Sequence, residues 1–70
     1  MTDTIATRIR KARLDSGHTQ ERAARRLDVA EKTYRRWETG ETIPSVATLR
    51  RLSALFDVSL AWLVTDQPEP

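Results

Sequence analysis

Apolar residues recur along this chain at helical spacing, and no run alternates as a strand would. Ile5, Ile9, Ala12 and Ser16 fall on one stripe at i, i+4, i+7 and i+11, and Gly17 closes it. This predicts a first helix beginning near Asp3 or Thr4, either of which can cap it, with Leu14 exposed on the opposite face. Thr19 caps a second helix whose first turn holds Gln20 and Glu21. Its buried side is Ala23, Ala24 and Leu27; the two small alanines admit another helix closely, while Arg22, Arg25 and Arg26 lie on or near the outer side. A third helix runs from about Glu31 to Thr39 and stops at Gly40. A rotation of about 100° per residue gathers Ala30, Tyr34 and Trp37 on one face, turns Lys32, Arg35 and Arg36 the other way, and leaves Glu31 at the flank. Ser45, after Pro44, caps a fourth helix with Val46, Leu49, Leu52, Ser53 and Phe56 inward. Asp57 and Val58 form a turn, and Ser59 caps a short fifth helix carrying Leu60, Leu63 and Val64, with Trp62 nearby. The chain therefore reads as all-α, with a domain over 1–66 and a flexible polar tail over 67–70 that includes Pro68 and Pro70.

Seventy residues suffice for one small domain, whose modest core calls for good helix packing, with dimerisation as a further support. The absence of cysteine excludes disulfides and cysteine-bound zinc, and the lone His18 cannot build a metal site, so no metal or cofactor is expected. His18 reads as a partly buried spacer rather than a pH switch. The acids are not grouped with a nucleophile or with metal-ligand spacing, which argues against an enzyme. No apolar run is long enough to span a membrane and residues 1–20 lack a secretory core, so a soluble cytoplasmic protein is expected.

The net charge of +2 conceals an asymmetry. Residues 1–40 carry ten Lys or Arg against six acids, and residues 41–70 two against four. A basic front half suggests a face aimed at a polyanion; a solvated arginine-rich surface is the plainer alternative. The very short connection Asp28-Val29-Ala30 lets the third helix protrude rigidly from the second. Such a helix fits the DNA major groove, where Arg or Lys donates to guanine O6 and N7 and Glu accepts from cytosine N4. Glu31, Lys32 and Arg36 are chemically able to read bases, while Thr19 and Gln20 open a helix where side chain and backbone N–H groups can hold a phosphate. Phosphate repels Glu31, which suits it to rejecting wrong sequences and leaves Lys32 and Arg36 as principal readers. Tyr34 and Trp37 share the apolar stripe and read as core; some of Arg22, Arg25 and Arg26 approach phosphate, and Arg50 and Arg51 are solvated.

The stretch Thr19-Gln20-Glu21 … Ala24 … Val29 … Trp37-Glu38-Thr39-Gly40 resembles the helix-turn-helix of the phage-repressor and Cro-like family, also called the Xre family. The resemblance continues from Ile9-Arg10-Lys11-Ala12-Arg13 to Val58-Ser59-Leu60-Ala61-Trp62-Leu63. It implies a five-helix lambda-repressor-like domain, with helices two and three as the DNA-binding pair, acting as a homodimer on a two-fold-symmetric operator in double-stranded DNA. Position by position it implies that Gln20 contacts the DNA backbone and buttresses the reading helix. It places Glu31, Lys32 and Arg36 at base-reading positions and Thr33 and Thr39 at phosphate-touching ones; Arg35 joins the expected DNA-binding set as a cation on the same outward face. The resemblance also implies an Arg13–Glu38 salt bridge. Trp62 is expected in the core and at least one of Leu60, Leu63 and Val64 at a dimer interface. The same fold also serves antitoxins and other interaction modules, so a toxin or another protein partner is the alternative. The chain departs from the family pattern at Asp28, where glycine is usual, at Ala30, where Ser or Thr caps the reading helix, and at Ala12, His18 and Ala23, where leucine is usual. Tyr34 and Trp37 are expected to fill the space left by those smaller residues.

Overall fold

The computed structural model describes residues 4–64, so the expected boundary at 66 and the tail over 67–70 lie outside the described residues. The described residues form α1 (Ile5–Asp15), α2 (Gln20–Leu27), α3 (Glu31–Thr39), α4 (Val46–Phe56) and α5 (Leu60–Val64), with no strand. No helix among them is long and apolar enough to cross a membrane.

The boundaries follow local chemistry. Thr4 caps α1 through a reciprocal pair of bonds with Thr7, Thr19 Oγ1 accepts from the Arg22 N–H at 3.0 Å, and Ser45 Oγ from the Thr48 N–H at 3.2 Å. Asp28 and Asp57 end α2 and α4 in the left-handed region, with φ of 58° and 56°. Aspartate tolerates that conformation better than most non-glycine residues. Gly40 ends α3 at φ 84°, where a side chain would be strained.

The core gathers Ile9, Ala12, Ala23, Ala24, Leu27, Tyr34, Trp37, Leu49, Leu52, Phe56 and Leu63. Tyr34 and Trp37 meet edge to face with ring centroids 5.8 Å apart, in the same cluster as Ala12 and Ala23. The half-buried His18 ring lies 5.7 Å from that of Phe56. Leu14 is exposed.

Four expectations need correction. Val46 is exposed rather than inward, because helical rotation sets it about 90° from the centre of the stripe formed by Leu49, Leu52 and Phe56. Ser16 is exposed because the chain has already left the helix there, as the C-cap of α1. Leu63 is fully buried within its own chain, the one inward position on a helix packed against both α1 and α4, and so is not available to a second copy. Trp62 is partly buried, packed on the margin of the core.

The buried stripe of α1 is wider than its apolar residues suggest. Both margins are arginines: Arg8 and Arg13 are buried alongside Ala6, Ile9 and Ala12. Arg8 donates from Nη1 to the Trp62 carbonyl and sits 5.2 Å from the centre of the Trp62 ring, tying α1 to α5 by a hydrogen bond and a cation–π contact. Arg13 reaches the opposite way, to α3. One helix thus fixes both the short final helix and the exposed third one.

Candidate nucleic-acid interface

The outward face of α3 is built from the inside. Its buried side presents Tyr34, Trp37 and Glu38 to the core. Glu38 is an acid with almost no access to water, and such a group persists only if its oxygens are fully engaged. Arg13 donates from Nε to Oε2 at 2.7 Å and from Nη2 to Oε1 at 3.2 Å. Gln20 Nε2 donates to Oε1 at 3.0 Å, and the Tyr34 hydroxyl donates to Oε2. Arg13 Nη1 also donates to the His18 carbonyl at 3.0 Å, so the turn between α1 and α2 joins the same network. Two helices, α1 and α2, are locked to α3 at a single carboxylate, and the turn between them is tied in through Arg13.

The electrostatics agree with that geometry. Burial works to raise the Glu38 pKa, but the bonds from Arg13, Tyr34 and Gln20 outweigh it and hold the carboxyl below its ordinary value. The bond to Glu38, set against the penalty of burial, raises Arg13. Burial first, and then the bond to the carboxylate, pushes the Tyr34 phenol well above its usual range. All three groups keep their ordinary protonation state near neutrality, so the network is a fixed brace and not a titrating switch there.

On the other side of α3, Lys32, Thr33, Arg35, Arg36 and Thr39 are exposed and Glu31 is half-buried at the edge. Thr19 is exposed at the start of α2, next to the half-buried Gln20. The structure therefore brings the sequence-derived set onto neighbouring surface, and it brings Arg13 and Glu38 into direct contact beneath it. Three members are already engaged in ion pairs within the chain. Arg35 pairs with Glu31 one turn back, and Arg36 Nε lies 3.1 Å from Glu41 Oε2. Among the described residues Lys32 has no such partner. Thr39 Oγ1 donates to the Arg36 carbonyl at 3.2 Å, so it also secures the end of its own helix. Arg22 and Arg26 are exposed on α2, and Arg25 pairs with Glu21 at 2.8 Å.

The turn before α3 is tight. The Val29 N–H closes on the Ala24 carbonyl at 3.0 Å, and Ala30 follows as an N-cap without a side-chain bond. The free N–H groups at the start of α3 are supported by the charge of Glu31 in the first turn and by no hydroxyl. Replacing Ala30 by Ser is expected to stabilise the domain by about 1 kcal/mol, read as a higher urea midpoint at unchanged slope. An unchanged or lower midpoint would show that water already satisfies that end.

Sequence reasoning missed one participant of this face. Glu41 lies beyond the helix, and only the left-handed turn at Gly40 returns it to Arg36. The Gln20 amide, which the family resemblance made a buttress of the reading helix, bonds inward to Glu38. An acid shortly after a helix-ending glycine, four or five residues beyond an exposed arginine, is the signal that could have found Glu41.

A face of cations and hydroxyls on a short, braced, protruding helix can donate hydrogen bonds to an anionic, acceptor-rich surface. Comparison with known proteins agrees with this architecture. A family model described as "Helix-turn-helix" matches residues 9–63. The chain is 33% identical over 57 residues to the SPbeta prophage-derived uncharacterized HTH-type transcriptional regulator YonR of Bacillus subtilis (strain 168). That alignment covers 81% of this chain and 53% of YonR, so the chain spans about half the length of that curated relative. Among solved structures it resembles the master regulator for biofilm formation SinR, crystallised in complex with DNA, with a TM-score of 0.79 and 30% identity. That likeness covers 86% of this chain and 97% of the SinR chain. The fold is the all-α lambda-repressor-like one, and the chain belongs to the helix-turn-helix family, of the Xre-like kind that its sequence resembles.

Proposed function

We propose that the chain is a sequence-specific, double-stranded-DNA-binding transcriptional regulator and not an enzyme. In this reading it is a cytoplasmic repressor of the phage or prophage type, acting as a homodimer on a pseudo-palindromic operator. The observation that carries the reading is the outward face of α3, where Lys32, Thr33, Arg35, Arg36 and Thr39 stand exposed on a helix braced from beneath by the Arg13–Glu38 pair. The DNA in the SinR crystal and the regulator description of YonR support it. Lys32 and Arg36 read base edges, Thr33, Thr39 and Thr19 meet phosphate, and Gln20 spans from the Glu38 brace toward the DNA backbone. Val64 and the half-buried Leu60 remain for contact with a second copy, since Leu63 is taken by the core.

Selection of bound sites from random duplex DNA tests this directly. A two-fold-symmetric consensus with half-sites about 34 Å apart is expected. Affinity for the winning duplex should fall steeply with added salt, and a flat response would remove the DNA claim. Arg36→Ala is expected to weaken binding by about 1–3 kcal/mol and relax the preference at one position of each half-site. Equal weakening on all sequences would make Arg36 a phosphate contact instead.

A further inference from the structure

Arg36 and Glu41 pair in an exposed position, the side chains retaining 44% and 65% of their accessible surface. An ion pair so open to water contributes little to folding, so what the pair changes is the behaviour of Arg36. Its geometry is set by the backbone. Gly40 turns the chain back at φ 84°, the Thr42 N–H bonds to the Arg36 carbonyl at 3.3 Å, and the Glu41 N–H bonds to Thr39 Oγ1 at 3.4 Å. Glu41 is thereby held beside the arginine whose own carbonyl helps to close the turn.

The carboxylate approaches Arg36 on its Nε side, 3.1 Å away. A guanidinium approached there keeps its two terminal nitrogens for another partner, and those are the atoms that fork onto guanine O6 and N7. The carboxylate also lies where a phosphate drawn to the same guanidinium would be repelled.

We propose that Glu41 is a positioning residue for base recognition. It holds Arg36 with its terminal nitrogens outward, and it disfavours the use of that arginine as a simple phosphate anchor. The contrast with Glu31 is geometric: Glu31 engages Arg35 along a single helix, at the spacing of an ordinary surface pair, whereas Glu41 depends on the turn that ends the helix. This inference rests on the DNA-binding reading above.

The test is the ratio of dissociation constants between the selected duplex and one altered at the position read by Arg36. It is measured for the wild type, Glu41→Gln, Arg36→Ala and the double variant, with random duplex as a further probe. Glu41→Gln should shrink that ratio by about two- to fivefold, the range of an exposed ion pair, and tighten binding to random duplex. Its urea midpoint should stay at the wild-type value. In the Arg36→Ala background the same change should leave the ratio where Arg36→Ala alone sets it. A wild-type ratio retained by Glu41→Gln, or an equal shrinkage in both backgrounds, overturns the role of Glu41 while leaving the DNA-binding reading intact. Absence of any preferred duplex for the wild type defeats that reading itself.

Discussion

Glu38→Ala is expected to cost about 3–5 kcal/mol of folding stability, the usual penalty for leaving the other half of a buried ion pair uncompensated. The substitution strands the Arg13 guanidinium, whose side chain keeps only 10% of its accessible surface. It also deprives the Tyr34 hydroxyl and the Gln20 amide of their acceptor. At roughly 0.05–0.15 kcal/mol per residue, a chain of this length has about 3–10 kcal/mol in total. The variant should therefore be largely unfolded near 37 °C, with its urea transition, followed by circular dichroism, displaced toward zero denaturant. Replacing Arg13 and Glu38 together by Met and Leu should cost far less than the single change, because no buried charge is then left over. If the single variant lost less than about 1 kcal/mol, water would be reaching Arg13 and the brace would not be a buried one.

The same carboxylate sets a pH dependence. Its pKa in the folded chain lies below its ordinary value near 4.5, so the folded state binds fewer protons than the unfolded state as pH falls through this region. The stabilisation from Glu38 is complete above about pH 4.5 and is lost as pH drops through the lower folded value. The acid limb of the stability profile should accordingly be flatter in Glu38→Gln than in the wild type.

Much of this arrangement was legible in the sequence. The five helices, their caps at Thr19 and Ser45, the turn at Asp28 and the aromatic side of α3 follow from periodicity and from residues whose local chemistry is specific. Charge asymmetry and a short inter-helix turn pointed to the outward side of α3. Periodicity was silent wherever a polar residue enters the interior. Arg8 and Arg13 border the buried stripe of α1, and a scale that scores arginine as polar ends the stripe too early. The Arg13–Glu38 pair was suggested by family resemblance and not by spacing, since its members are 25 residues apart and meet only through packing. The misplacements of Val46 and Leu63 have different causes: Val46 is turned about 90° from the centre of the α4 stripe, as helical rotation alone would give. On the five-residue α5 the face is ill-defined, and packing against α1 and α4 decides that Leu63 is the residue covered. Glu41 illustrates a different blindness: its proximity to Arg36 is created by one left-handed backbone conformation.

Trp37→Ala should be the most informative core substitution, at about 3–5 kcal/mol. Trp37 is buried on the inner side of α3 and meets Tyr34 edge to face, while Arg36 next to it is exposed. Removing the indole leaves the outward side chains chemically untouched, so any loss of DNA binding must come through the population of folded, braced α3. Apparent affinity is the intrinsic affinity multiplied by the competent fraction. A domain destabilised to roughly equal folded and unfolded populations should lose only about twofold, and one reduced to about a hundredth folded should lose about a hundredfold. The deficit should therefore shrink when trimethylamine N-oxide restores folding, because excluded osmolytes strengthen apolar burial without supplying contacts. Arg36→Ala removes a contact from a folded protein, and its deficit should persist under the same osmolyte. A Trp37→Ala protein with the wild-type urea midpoint would show that the indole does not anchor the helix. One that refolds in osmolyte yet still fails to bind would show that the ring sets the orientation of α3 and not merely its stability. The paired titration of these two variants separates what the core of α3 does from what its surface does, although the substituted residues are neighbours in the chain.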